Sequence, residues 1–117
     1  MTQFPQLHIT ESGCSVRSVA VTGATMIGRD SDNDIILNEI TVSRCHALLL
    51  VHTGHAAIMD LESTNGTFVN DVQVRPDTPV RLADGDLIQV GRVLARYTEP
   101  RDNGEGCALP KALPRFV

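Results

Sequence analysis

Tryptophan is absent from this chain, and three Phe and one Tyr bring the aromatic share to only 3% of 117 residues. A core here cannot rest on large rings. It must be filled by Val, Ile, Leu and Ala, which dominate a hydrophobic share of 42%. β-Branched side chains suit a pleated sheet, so the shortage of aromatics tilts the expectation toward β structure. No stretch shows the period of an amphipathic helix. Long apolar runs are missing too. The longest, Ala47 to Val51, is far short of the ~20 residues that a membrane-spanning helix needs. The opening MTQFPQLHITES has neither a basic nor an apolar region, so no signal peptide is expected.

Positive charge is scarce as well. The formal net charge of -4 argues against nucleic acid, whose phosphates call for a broad Lys/Arg surface. Cys14, Cys45 and Cys107 are an odd, widely spaced set with no CxxC or CxxH pair. That excludes an ordinary structural zinc site and suggests reduced thiols in a cytoplasmic protein. What remains is one globular domain with a single core.

The chain does contain short apolar runs, each followed by a turn signal, recurring about every ten residues, the rhythm of an all-β sandwich. Expected strands are Leu7–Thr10, Ser15–Val21, Thr25–Arg29, Asp34–Leu37, Ala47–His52, Ala56–Leu61, Phe68–Val69, Val72–Arg75, Val80–Leu82, Leu87–Val90 and Val93–Thr98. Alternation is clearest at Val72 and Val74, and at Ile88 and Val90, which predicts one apolar face. Thr53-Gly54 and Asn70-Asp71 are two-residue hairpin candidates, and Asp84-Gly85-Asp86 is a turn. Beyond the domain at 1–99, residues 100–117 carry Gly and Pro without any period and read as a tail or linker.

Three polar loops interrupt this pattern. Gly28-Arg29 ends one strand, residues 42–46 (VSRCH) precede another, and residues 63–66 (STNG) lie between two apolar runs. The last can contribute little to a core, but its small residues allow a ligand to approach closely. Together the loops offer a guanidinium that can grip an oxyanion with two N–H bonds, plus hydroxyls and backbone N–H groups. A dianionic phosphate suits such a set.

Other chemistries fit less well. Asp30, Asp32 and Asp34 begin like a calcium-binding EF-hand loop, but Ile35 and Thr41 stand where that loop needs Gly and Glu. His52 and His55 flank one turn, and two ligands do not make a metal site. Ser43, His46 and Asp60 are the residue types of a hydrolase triad, without the G-x-S-x-G elbow. Cys45 reads most simply as a spectator; the alternative is a redox-sensitive thiol in that loop.

The segments IGRDSDNDIIL, TVSRCHALL, DLESTNGTFVND and LADGDLIQVG occur in that order and strongly resemble the forkhead-associated (FHA) domain family, from about Ser15 to Thr98. The resemblance implies a β-sandwich of about eleven mostly antiparallel strands in two sheets, with binding loops at one end. It also implies a non-catalytic, cofactor-free module that recognises phosphothreonine proteins or peptides in Ser/Thr kinase signalling. A phosphate-independent scaffold for homo- or hetero-assembly is the alternative. By the same resemblance Arg29, Ser43, Arg44 and Thr64 contact the phosphate and Asn65 bonds the peptide main chain. Gly28, His46, Gly66 and Asn70 shape the loops. Four contacts of this kind, less the cost of ordering a peptide, correspond to a Kd on the order of micromolar. Asp71 stands where Gly is commoner, and Asp tolerates the left-handed conformation that the hairpin needs.

Overall fold

The computed structural model describes residues 4–11 and 15–100. Cys14, Cys107 and the expected tail beyond Pro100 lie outside the described residues. Eleven strands form, with no helix among the described residues. Accordingly, none is long and apolar enough to cross a membrane.

The first five strands are β1 (Gln6–Glu11), β2 (Ser15–Ala20), β3 (Ala24–Gly28), β4 (Ile35–Ile36) and β5 (Ala47–His52). They are followed by β6 (His55–Asp60), β7 (Thr67–Val69), β8 (Val72–Gln73), β9 (Val80–Arg81), β10 (Leu87–Val90) and β11 (Val93–Thr98). A six-stranded sheet runs β2-β1-β11-β10-β7-β8, and a five-stranded sheet runs β4-β3-β5-β6-β9. Every pairing of named strands is antiparallel except β3 with β4. The sandwich read from the sequence is therefore the observed architecture.

Alternation builds the core. Along β11, Val93, Ala95 and Tyr97 are buried while Leu94 and Arg96 face out; Leu7 and Ile9 of β1 and Ile88 and Val90 of β10 are buried on the same sheet. Ile27, Leu49 and Ile58 meet them from the other sheet. The aliphatic core is as expected, with one addition: Tyr97 is fully buried, its hydroxyl donating to Glu99 at 3.0 Å. Burial, reinforced by the Glu99 charge, pushes its phenol pKa well up.

Two details differ from expectation. The strand expected at Asp34–Leu37 contracts to two residues because Asp34 turns back on β3: its N–H reaches the Met26 carbonyl at 2.9 Å and its carboxylate accepts the Met26 N–H at 2.8 Å. Val72, expected on the apolar face with Val74, is 67% exposed; it pairs with Val69 on the edge strand β8, next to a turn. The hairpin turns do take the left-handed form, with positive φ at Thr53, Gly54, Asn70 and Asp71.

Candidate functional site

Sheet topology gathers the three polar loops. Since β5 runs antiparallel to both β3 and β6, the end of β3, the start of β5 and the end of β6 share one end of the sandwich. Antiparallel pairing of β7 with β10 brings the Gly91-Arg92 turn there too.

The first two loops meet backbone to backbone. Arg29 N–H donates to the Ser43 carbonyl at 3.0 Å and Asp30 N–H to that of Arg44 at 3.2 Å. Gly28 makes this approach possible: a Cβ there would lie 2.1 Å from the Arg44 carbonyl oxygen. Buried Asn33 completes the join, its Nδ2 donating to the Asp30 carbonyl at 2.8 Å and the Arg44 carbonyl at 2.7 Å.

His46 ties the second loop to the third. Ser43 N–H donates to Nδ1 at 3.0 Å, so that nitrogen is unprotonated; Nε2–H then donates to the Gly66 carbonyl at 2.9 Å. The ring is fully buried. Burial, the strongest influence, lowers its pKa, against the Gly66 carbonyl and the Asp60 charge, which favour the cation.

Ser63 and Asp60 shape the third loop. Asp60 Oδ1 accepts from Ser63 Oγ at 2.6 Å and Thr67 Oγ1 at 2.7 Å, and Oδ2 accepts the Ser63 N–H at 3.1 Å. Burial raises the Asp60 pKa, yet these three donors outweigh it and hold the carboxylate below its ordinary range. Ser63 Oγ also accepts the Gly66 N–H at 2.9 Å, closing the turn. Gly66 sits at φ +88°, where a Cβ would meet the Gln73 amide at 2.8 Å. The Ser63 hydroxyl is thus committed inward, unlike the free hydroxyl expected of this segment.

Between these loops lies an open groove of about 620 Å³ whose walls include Arg29, Ser43, Arg44, Thr64 and Asn65. Arg29 is fixed by its Nε–H donating to the Val42 carbonyl at 2.9 Å; among the described residues its two terminal nitrogens carry no hydrogen bond. Ser43 Oγ accepts the Thr64 N–H at 3.0 Å, which uses a lone pair and leaves its own proton to be donated elsewhere. The Thr64 backbone donor is thereby spent, and only its hydroxyl remains. Asp30 also lines the groove, its carboxylate accepting the Ser31 N–H at 3.1 Å. With Arg29 and Arg44 on the same wall the groove still carries net positive charge and unspent donors, the complement of an acceptor-only anion.

A family model described as the FHA domain matches residues 25–91. The chain belongs to the FHA domain family. The glycogen accumulation regulator GarA of Mycolicibacterium smegmatis is 41% identical over 83 residues, covering 70% of this chain and 51% of GarA. The chain thus spans about half the length of that curated relative. A solved FHA domain from a study of phosphothreonine-dependent interactions matches with a TM-score of 0.69 and 31% identity, over 80% of this chain and 94% of that one. Mycobacterium tuberculosis EmbR, solved with a low-affinity phosphopeptide, matches with a TM-score of 0.72 and 35% identity, over 82% of this chain and 24% of that one.

Within this FHA domain, Arg29, Ser43, Arg44, Thr64 and Asn65 all line the groove, and Gly28, His46 and Gly66 build the loops behind it. Asn70 does not. It sits at the other end of β7, where its side chain bonds Asp86 at 3.0 Å and the Leu87 N–H at 2.9 Å, organising the β7–β8 hairpin instead. Cys45 is a free, exposed thiol on the groove wall. The triad reading also fails on geometry: His46 bonds the Ser43 backbone rather than its hydroxyl, and Asp60 bonds Ser63 and Thr67.

Sequence reasoning missed Asn33, Ser63 and Thr41. Thr41 takes the Asn65 Nδ2 on its carbonyl at 2.9 Å and the Arg92 N–H on its hydroxyl at 2.8 Å. A buried Asn in a charged turn, and a Ser three residues after Asp, are turn-forming signals that were present. Ser63 finds Asp60 and Gly66 three residues away on either side, whereas Asn33 reaches Arg44 and Thr41 reaches Asn65 and Arg92 across the chain.

Proposed function

We propose that this FHA domain is a phosphothreonine-dependent recognition module in Ser/Thr kinase signalling, acting in the cytoplasm without catalysing a reaction. The single observation that carries this reading is the donor polarity of the groove. Ser43 and Thr64 hydroxyls and the Arg29 fork each have a proton to give, and a phosphate dianion can only accept. Arg44 adds a second guanidinium to the same wall. Asn65 already donates to Thr41, which leaves its Oδ1 to accept an N–H from the main chain of a bound peptide.

Two of the similar proteins support the reading, one studied for phosphothreonine-dependent interactions and one solved with a phosphopeptide. The loops are tied to one another by the chain's own hydrogen bonds, so binding requires little rearrangement. One extra methyl buried on threonine favours it over serine by about 0.8 kcal/mol. The test is a titration with matched peptides carrying phosphothreonine, phosphoserine or threonine. Affinity is expected to fall in that order, with micromolar Kd for the first; equal binding of all three refutes the reading. Partner capture unchanged by phosphatase and by joint Arg29→Ala and Ser43→Ala substitution would favour a phosphate-independent scaffold.

A further inference from the structure

We infer that Asn65-Gly66 is a deamidation site which its own loop holds latent through Ser63, and that the modification disables the groove. The first half stands apart from the phosphothreonine reading above; the second half rests on it. In an Asn-Gly pair the glycine nitrogen can give up its proton and attack the asparagine Cγ. Nδ2 then leaves as ammonia, and water opens the cyclic imide to Asp or isoAsp. Water is the only co-reactant, and nothing is oxidised or reduced. Glycine has no Cβ to obstruct the attack.

The groove cannot discard either residue. Gly66 sits at φ +88°, and a Cβ there would lie 2.8 Å from the Gln73 amide nitrogen. Asn65 uses both ends of its amide, Nδ2 donating to the Thr41 carbonyl at 2.9 Å while Oδ1 is left for a ligand. Its side chain is exposed, so water reaches it. The site therefore keeps a chemically labile pair in place.

The loop restrains each participant in the reaction. The attacking nitrogen donates its proton to Ser63 Oγ at 2.9 Å. Ser63 Oγ in turn donates to the Asp60 carboxylate at 2.6 Å, which fixes it and strengthens it as an acceptor. On the far side the Gly66 carbonyl is held by His46 Nε2 at 2.9 Å and by the Gly91 N–H at 3.4 Å. Thr41 holds the leaving nitrogen. Cyclisation must break both the Ser63 and the Thr41 bonds. Once formed, a carboxylate at 65 has no donor for the Thr41 carbonyl and sets a negative charge in the path of a phosphate dianion. IsoAsp also lengthens the backbone at Gly66 by one methylene.

The experiment incubates the whole chain at mildly alkaline pH and follows ammonia loss at Asn65 by peptide mapping and mass spectrometry. Mapping separates it from Asn103-Gly104, the other Asn-Gly pair of the chain. A synthetic peptide of residues 61–69 is the unrestrained reference. Folded wild type is expected to react about thirtyfold more slowly than that peptide, the factor for opening two hydrogen bonds of ordinary strength. Ser63→Ala should react about fivefold faster than wild type, the factor for one such bond. Leu82→Ala, a substitution in the buried core away from the groove, controls for general destabilisation and should leave the rate near that of wild type under conditions where both variants are fully folded. A wild-type rate equal to that of the peptide, a Ser63→Ala rate equal to that of wild type, or equal acceleration by Leu82→Ala overturns the inference. Deamidated protein and Asn65→Asp should each bind a phosphothreonine peptide at least tenfold more weakly; undiminished affinity overturns the second half. If wild type binds phosphorylated and unphosphorylated peptides equally, the phosphothreonine reading falls with that second half, while the deamidation rates still decide the first.

Discussion

Replacing His46 with Ala should cost this domain more stability than removing any exposed side chain of the groove. The ring is fully buried and makes two bonds, one to Ser43 in its own loop and one to Gly66, 20 residues further along. Ser43 N–H loses its acceptor, a penalty of about 1–3 kcal/mol for a polar group left unsatisfied. The Gly66 carbonyl loses less, because it keeps a long 3.4 Å bond from the Gly91 N–H. With the cavity left by the ring, the total comes to roughly 3–4 kcal/mol. Urea unfolding followed by circular dichroism should show the midpoint falling by roughly 1–3 M. His46→Gln, which keeps a donor and an acceptor, should recover part of the loss. The tautomer gives an independent readout: imidazole nitrogen shifts should show Nε2 protonated and Nδ1 bare. A loss below about 1 kcal/mol, or a proton on Nδ1, would refute the reasoning.

Further expectations follow from the same contacts. Acid should destabilise the domain in two stages, because the His46 and Asp60 pKa values are both lowered on folding and the unfolded chain protonates first. Stability is full above about pH 6.5 and falls as pH drops from there through the folded His46 pKa; a second loss begins near pH 4 and runs through the folded Asp60 pKa. Thermal melts in phosphate-free buffers check this, and a flat profile from pH 7 to 3 would contradict it. Gly28→Ala should destabilise by about 1–3 kcal/mol and loosen the Arg29 and Arg44 loops, since its Cβ meets backbone that cannot swing aside. Arg29→Ala should weaken phosphopeptide binding at least tenfold in calorimetry while stability changes by less than about 1 kcal/mol. Ser63→Ala should cost about 2–3 kcal/mol of stability in urea unfolding, since Asp60 loses a charge-assisted donor and the Gly66 N–H its acceptor.

Much of the fold was readable along the chain because its signals are local. An apolar run such as Ala47–His52, bounded by Thr53-Gly54, declares both a strand and its hairpin within eight residues. The charged turn at Asp30–Asp34 and the edge position of Val72 were less readable. Whether Asp34 turns back onto Met26, or Val72 finds a neighbour to cover it, depends on segments the local pattern does not mention. Ser63 was missed for a different reason: its partners are only three residues away on either side, but which hydroxyl of a polar run turns inward is set by the bend of the loop. Its hydroxyl looked as free as that of Thr64, yet Asp60 and the Gly66 N–H claim it.

Residue order alone determined the β-sandwich class, the aliphatic core and the set of small polar residues and arginines available to meet an anion. Those follow from composition and short-range alternation, which act within a few residues. Only the folded chain decided which donors stay unspent: Thr64 N–H goes to Ser43, Arg29 Nε to Val42 and Asn65 Nδ2 to Thr41, while Asn70 serves the opposite end of β7. A hydrogen bond needs its partner within about 3 Å. For residues 13 to 24 positions apart, that distance is set by how the two sheets bring their loops together.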